Sequence, residues 1–168
     1  MIFVTVGTHE DQFNRLIQEI DRLQESGVIS EEVFIQTGYS DYLPTQAEHA
    51  TIIDYQQMDM LMKAARIVIT HGGPGSITHA LRYKKIPIVV PRQKSLGEHV
   101  DDHQVLFAQR LEQIGKVIMI LDINCLETAI SKYDKLVEDI DAEVDNPNNL
   151  ERFVAELDRI TKRLLNLN

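Results

Sequence analysis

The sequence has very little of several things, and each shortage removes a class of function. Cysteine occurs once, at Cys125, so neither a disulfide framework nor a multi-cysteine zinc site can be built. Basic residues are outnumbered, with 17 Lys and Arg against 26 Asp and Glu and a net charge of −9. A nucleic-acid binder, or a chain that holds an anionic membrane unaided, presents a basic face. Here the cations are scattered apart from Arg82-Tyr83-Lys84-Lys85 and the pair Arg92 and Lys94. No run approaches the roughly eighteen apolar residues of a membrane span, and the start, MIFVTVGTHE, lacks the basic region of a secretion signal. There is no Pro/Ser-rich linker, internal repeat or low-complexity tract. GxGxxG is missing after the first strand and GxxxxGK[ST] is missing altogether, which argues against a nicotinamide dehydrogenase and a P-loop kinase or ATPase. The expectation is one domain over residues 1–168, cytoplasmic, with no nucleic-acid partner.

What the sequence does have is alternation. Short apolar runs predict strands at Ile2–Val6, Val33–Gln36, Ala50–Ile53, Arg66–Thr70, Ile86–Val90 and Lys116–Ile120. Amphipathic stretches between them predict helices at Asp11–Glu25, Gln57–Ala65, Ser76–Tyr83 and Asp102–Ile114, and two closing helices at about 124–140 and 147–165. Strands alternating with helices imply an α/β, Rossmann-like sandwich with a doubly wound parallel sheet. Ligands in such sheets gather beyond the carboxyl ends of the strands.

Three segments converge there. The most informative is Val68-Ile69-Thr70-His71-Gly72-Gly73-Pro74-Gly75-Ser76-Ile77, a strand ending in a glycine-rich turn that opens a helix. Unpaired amides at a helix N-terminus hold phosphate well, Ser76 adds a hydroxyl, and Pro74 suits the first helical turn. A plain tight turn is the competing reading of the same glycines. The second segment is Gly7-Thr8-His9-Glu10, where Thr8 either caps the first helix or meets a ligand. The third, Pro91–Gln104, crowds carboxylates, imidazoles and amides into a strand-to-helix loop, as a sugar with many hydroxyls requires; a solvated loop with Asp102 as helix cap is the alternative. His99 and His103 lie four apart, but with no HExxH pattern and no third ligand evident nearby, no metal site is expected. Tyr55, between a strand and a helix, is a candidate for stacking on a base. Met58, Met60 and Met62 are too closely spaced for all to be core. The basic cluster at 82–85 faces phosphates or, more simply, ends a helix.

VTVGTHE, the ITHGGPGSI turn and the DDHQ helix start together resemble the donor-binding half of GT-B glycosyltransferases, and most of all family-28 C-terminal domains. That group includes the soluble subunit of the two-subunit dolichol-linked N-acetylglucosamine transferase and its bacterial exopolysaccharide and capsule counterparts. The similarity runs from Met1 to about Ile120. It implies that a UDP-hexose is the donor substrate, that no cofactor is bound, and that a membrane-anchored partner subunit supplies the acceptor half and a lipid-linked saccharide. The protein would then sit at the inner face of the membrane through that partner, and self-association is an open possibility for the isolated chain. The resemblance assigns Gly72, Gly73, Gly75 and Ser76 to the donor diphosphate and Asp102, His103 and Gln104 to the hexose hydroxyls, with His71 also in the nucleotide-sugar site. Gly7 and Thr8 would line the cleft, with His9 and Thr8 the local candidates for catalysis.

One position departs from the family pattern. Many relatives carry an acidic residue eight places after the motif histidine, where it holds the ribose hydroxyls, and this chain has His79 there. Glu98 is the substitute candidate. One extra residue also stands in Tyr83-Lys84-Lys85. The implied reaction is transfer of hexose with inversion, its leaving diphosphate stabilised by backbone amides and helix dipole. The competing readings are a non-catalytic scaffold that keeps the nucleotide fold, which the sugar-contacting DDHQ segment disfavours, and a sugar-nucleotide epimerase, which the short length disfavours.

Overall fold

A computed structural model of the chain describes residues 1–144. Its strands are β1 (Ile2–Thr5), β2 (Val33–Gln36), β3 (Glu48–Ala50), β4 (Ile67–Thr70), β5 (Ile88–Val89) and β6 (Ile118–Met119). They form one sheet in the order β3-β2-β1-β4-β5-β6 with every neighbouring pair parallel. The helices are α1 (Asn14–Glu25), α2 (Tyr55–Ala64), α3 (Pro74–Arg82), α4 (His103–Gln113), α5 (Leu126–Ser131) and α6 (Tyr133–Val144). This is the doubly wound α/β fold the alternation predicts, with the order reversing between β1 and β4. The chain divides into two compact units, of which the first is Met1–Tyr133. No helix among the described residues is long and apolar enough to cross a membrane.

The central strands are covered on both faces, which is why they read as unbroken apolar runs. All four residues of β1 and of β4 are buried. Phe3 and Val68 pack with Met62 and Ala65 of the α2 end and Ala80 of α3. Ile77, Val89, Ala108 and Val117 form a separate cluster. In α1, Leu16, Ile17, Ile20 and Leu23 are wholly buried, with Phe13 just ahead of the helix, as its spacing predicts. Of the three methionines Met62 is core, Met58 packs partly against it and Met60 is exposed.

Several boundaries differ from the sequence reading, each for a local reason. The third strand lies earlier, at the polar Glu48-His49-Ala50 rather than Ala50–Ile53. It pairs only with β2, and a charged, exposed edge strand protects the sheet from further pairing. Tyr55 is the first residue of α2, behind an Asp54 whose carboxylate caps the Gln57 N–H at 2.7 Å. Helix α1 begins at Asn14, so Thr8 does not cap it; the N-cap position is Phe13, whose N–H donates to Ser40 Oγ at 2.9 Å. The first closing helix is broken: a 3-10 turn at Ile123–Cys125 leads into α5, and Lys132 leaves helical geometry before α6. The predicted helix at 147–165 lies outside the described residues. The basic cluster divides: Arg82 lines a cavity beside the glycine turn, while Lys85 turns to the end of α2. Lys85 Nζ donates to the carbonyls of Lys63 and Ala65, capping the end of α2. Within this segment Lys84 takes a left-handed φ of 57° just after α3, where glycine is the usual occupant.

Candidate functional site

A cavity of about 280 Å³ opens where the strand order reverses, at the carboxyl ends of β1, β2 and β4. Thr5, Gly7 and Thr8 form one wall, and Ile52, Ile53 and Met58 another. Its remaining boundary is Gln36, His71 and the turn Gly73-Pro74-Gly75-Ser76. Two of the three segments singled out from the sequence therefore meet here.

His71 sits at its base, nine-tenths buried. Its Nδ1 lies 3.3 Å from the Thr5 carbonyl, which can only accept, so Nδ1 carries the proton and Nε2 keeps its lone pair. Burial, reinforced by the nearby Arg92 charge, lowers the His71 pKa to about 4. The ring is neutral at physiological pH. It is also the reason for two glycines. A Cβ on Gly7, which takes φ +78°, or on Gly73 would stand closer than 3.0 Å to the imidazole. A Cβ on Gly75 would meet nothing. The glycines thus divide their labour: Gly7 and Gly73, from two loops, make room for His71, and Gly75 leaves open space at the start of α3.

Gly73 is the N-cap of α3 and Pro74 its first residue, as predicted from the sequence. The first intrahelical bond runs from the Ile77 N–H to the Gly73 carbonyl at 3.2 Å. Helix geometry leaves the Gly75 and Ser76 amides without intrahelical acceptors, so they and the positive end of the dipole are available to an anion. Gly72, at φ +91°, makes the bend between β4 and α3 against Pro91 and Gln104.

The sequence reading missed Gln36, which is 2 % exposed. Its oxygen accepts from Thr5 Oγ1 at 2.7 Å and the Gly7 N–H at 3.2 Å, and its amide donates to the carbonyls of Gly7 at 2.9 Å and Thr51 at 3.0 Å. One side chain ties the β1 loop to the segment after β3. A polar residue closing the apolar run Val33-Phe34-Ile35 was the available signal.

A second cavity, about 390 Å³, lies on the other side of the turn and is lined by Tyr55, Pro74, Gly75, Thr78, His79 and Arg82. His79, one turn into α3, lines this cavity and is tied to α2. Its Nε2 is 2.8 Å from Asp59 Oδ1 on α2, and its ring stacks between Tyr55 and Tyr83, with centroids 5.7 and 5.9 Å away. Tyr83 and then His79 hold the Asp59 carboxyl below its ordinary pKa. A carboxylate, that of Asp59, thus stands beside position 79, which the sequence reading did not identify.

The third segment is held by one fully buried arginine, Arg92, and one partly buried, Arg15. Arg92 is fully buried and donates to the carbonyls of Val6, Asp11, Gln12 and Glu98 at 2.8–3.1 Å. Glu98, 3 % exposed, receives Arg15 on both carboxylate oxygens at 2.8 and 3.0 Å and the Gln93 N–H at 3.1 Å. Its carboxylate is occupied, which corrects its assignment as a ribose ligand. Gln104 is buried and its oxygen accepts from the Arg92 N–H at 3.2 Å. Asp102 does not cap α4 with its side chain; Oδ1 accepts from the Lys94 N–H at 2.9 Å instead. Asp101 provides the bond to the His103 N–H, at 3.0 Å. His9, partly exposed, receives the Asp11 N–H on Nδ1 at 3.2 Å, and its ring lies 4.5 Å from that of His99. His99 in turn lies 4.6 Å from His103. Burial first, then its neighbours His9 and His103, lower the His99 pKa.

The model of the glycosyltransferase family 28 C-terminal domain matches residues 1–163. Among solved structures, the glycotransferase of kitacinnamycin superposes with a TM-score of 0.61 at 16% identity, over 85% of this chain and 38% of its own. The calicheamicin glycosyltransferase CalG4 gives 0.55 at 14%, over 95% and 43%. The glycosyltransferase VinC, solved in complex with dTDP, gives 0.53 at 19%, over 96% and 41%. The chain spans about two fifths of the length of these structures. No curated protein matches it.

Proposed function

The chain belongs to the glycosyltransferase family 28 C-terminal domains, and from that premise we propose that it is the donor-binding half of a UDP-hexose-dependent glycosyltransferase. The observation that carries this reading is the cavity at the strand-order reversal, where the free amides of α3 face the space left open at Gly75. A diphosphate at that helix end is stabilised by Gly75, Ser76 and the dipole. Negative charge developing on the leaving UDP is met by donors already in place, each worth roughly 2.7–4 kcal/mol by comparison with other oxyanion sites. The base rests against Ile52, Ile53 and Met58. The dTDP in VinC supports a nucleoside diphosphate of this size.

In this reading the hexose extends toward Asp102 and His103. An acceptor hydroxyl attacks the anomeric carbon with inversion as the bond to UDP breaks. Thr8, on the cavity wall, and His9, the next residue along, are the local groups that touch the acceptor, and His9 takes its proton if the base lies in this chain. The acceptor, a polyprenyl-diphosphate-linked saccharide of exopolysaccharide or capsule synthesis, is presented by a membrane-anchored partner carrying the other half of the cleft. The partner also brings this acidic chain to the membrane.

Thermal unfolding with UDP, dTDP, ADP, GDP and the three common UDP-hexoses tests the reading. A ligand at a hundred times its dissociation constant stabilises by about 2.7 kcal/mol. Stabilisation by UDP ligands above ADP and GDP is expected, and the strongest UDP-hexose names the donor. Absence of any nucleotide effect, with the partner co-expressed as well, overturns it.

A further inference from the structure

The sequence gives His99 and His103 the spacing of a ligand pair without an evident third member, and the fold supplies one. The segment between Gly97 and α4 folds back so that ligand atoms of His99, Asp101 and His103 all lie within 4.8 Å of one another. His99 Nδ1 is 3.6 Å from Asp101 Oδ1, and His103 Nδ1 contacts the same oxygen. Ligand atoms on a tetrahedral zinc, with bonds near 2.0–2.1 Å, stand about 3.3 Å apart. The His99–Asp101 separation is already near that value, and rotation of the exposed Asp101 and His103 side chains sets the other two. The His9 ring, beside His99, offers a fourth imidazole from a different loop.

We propose that His99, Asp101 and His103 form a site for a zinc-class divalent ion, with His9 within reach as an added ligand. Two imidazoles and one carboxylate suit zinc, cobalt or nickel rather than magnesium or calcium, which prefer all-oxygen sets. Asp101 and His103 are more than half exposed, so the ion has a path in and keeps room for water or a ligand oxygen. The ion would bridge the β1 loop and the start of α4, beside the entrance to the proposed donor cleft. This site stands on its own residues and does not require the cavity to bind nucleotide.

The test is calorimetric titration of chelator-stripped full chain with Zn2+, repeated with Co2+ to record the visible absorption of a low-coordinate site. One equivalent is expected. His103→Ala and His99→Ala should each weaken it at least tenfold, while His49→Ala, on the exposed strand β3, leaves it unchanged. Melting curves identify any variant that fails to fold; the exposed His103 makes His103→Ala the safer of the two. Absence of saturable binding, or binding that survives in folded His103→Ala, overturns the proposal. UDP titrations in chelator keep the donor reading separate, because their outcome does not depend on the metal.

Discussion

Gln36 holds Gly7 by both of its backbone polar groups, donating to its carbonyl at 2.9 Å and accepting from its N–H at 3.2 Å. A side-chain amide thereby does what a neighbouring strand would do, at the point where β1 has left the sheet. All of its hydrogen-bonding capacity is used, since Thr5 Oγ1 and the Thr51 carbonyl take the remaining positions.

Gln36→Met keeps the bulk and removes the pairing. The Gly7 carbonyl and the Thr5 hydroxyl lose their partners at about 1–3 kcal/mol each, while the Thr51 carbonyl keeps the Gly38 N–H at 2.9 Å and partial access to water softens the sum. The expected loss is about 3 kcal/mol in urea unfolding, with weaker UDP binding as the Gly7 loop shifts. A change below about 0.5 kcal/mol, the scale of an ordinary surface substitution, would refute the role.

The two glycines of the helix-opening turn should behave oppositely in the empty protein. Gly73→Ala drives a methyl into the His71 imidazole, so stability and nucleotide binding fall together. Gly75→Ala meets open space and stabilises or leaves unchanged the empty fold, yet it occupies the ligand side. Melting curves with and without UDP separate the two. Equal melting temperatures for both empty variants would contradict the geometry.

Acid should weaken the fold well above the carboxylate range. His71 has a pKa near 4 when folded and an ordinary value near 6.5 when unfolded. Because the unfolded chain takes up the proton first, stability is full above about pH 6.5 and falls as pH drops toward 4. The loss from this group amounts to roughly 3 kcal/mol across that window. His99 is displaced in the same direction and adds to the slope. Urea unfolding at pH 7 and 4.5 measures the effect, and His71→Asn should flatten most of it. A slope unchanged in that variant would assign the acid sensitivity elsewhere.

Lys84→Gly should stabilise the protein by up to about 1 kcal/mol, because it relieves a left-handed conformation at a helix end where glycine has no Cβ penalty. The unfolded-state entropy of glycine opposes part of the gain. Destabilisation by more than about 1 kcal/mol would show that the lysine side chain itself holds the turn.

Apolar periodicity made the architecture legible, because burial on both faces leaves an unmistakable run at β1 and β4. It could not reveal β3, whose Glu48 and His49 follow from an edge position rather than from burial. The glycine turn was legible as a strand-to-helix turn at the carboxyl end of the sheet, but not which glycine served what. That depends on His71 turning its ring between Gly7 and Gly73. Arg92 defied pattern reading most fully. A guanidinium belongs in solvent by composition alone, yet here four backbone carbonyls from two loops supply the polar surroundings water would have given. Glu98 and His79 look equally available in the sequence, and only the fold shows them committed to Arg15 and Asp59. Such pairings join residues tens of positions apart and leave no local trace.

The placement of β1 beside β4 also bears on how the protein is made. Ile2 pairs with Ile67, so β1 gains its second partner only after four further elements, α1, β2, β3 and α2, have been synthesised. At about 5–20 residues per second that is a wait of several seconds, during which an apolar segment has only β2 to cover one edge. Pairings so distant in sequence also form slowly. The chain is thus most exposed to aggregation, and most in need of chaperones, while its middle strand waits, and the binding pocket cannot exist in any nascent chain shorter than its own glycine turn.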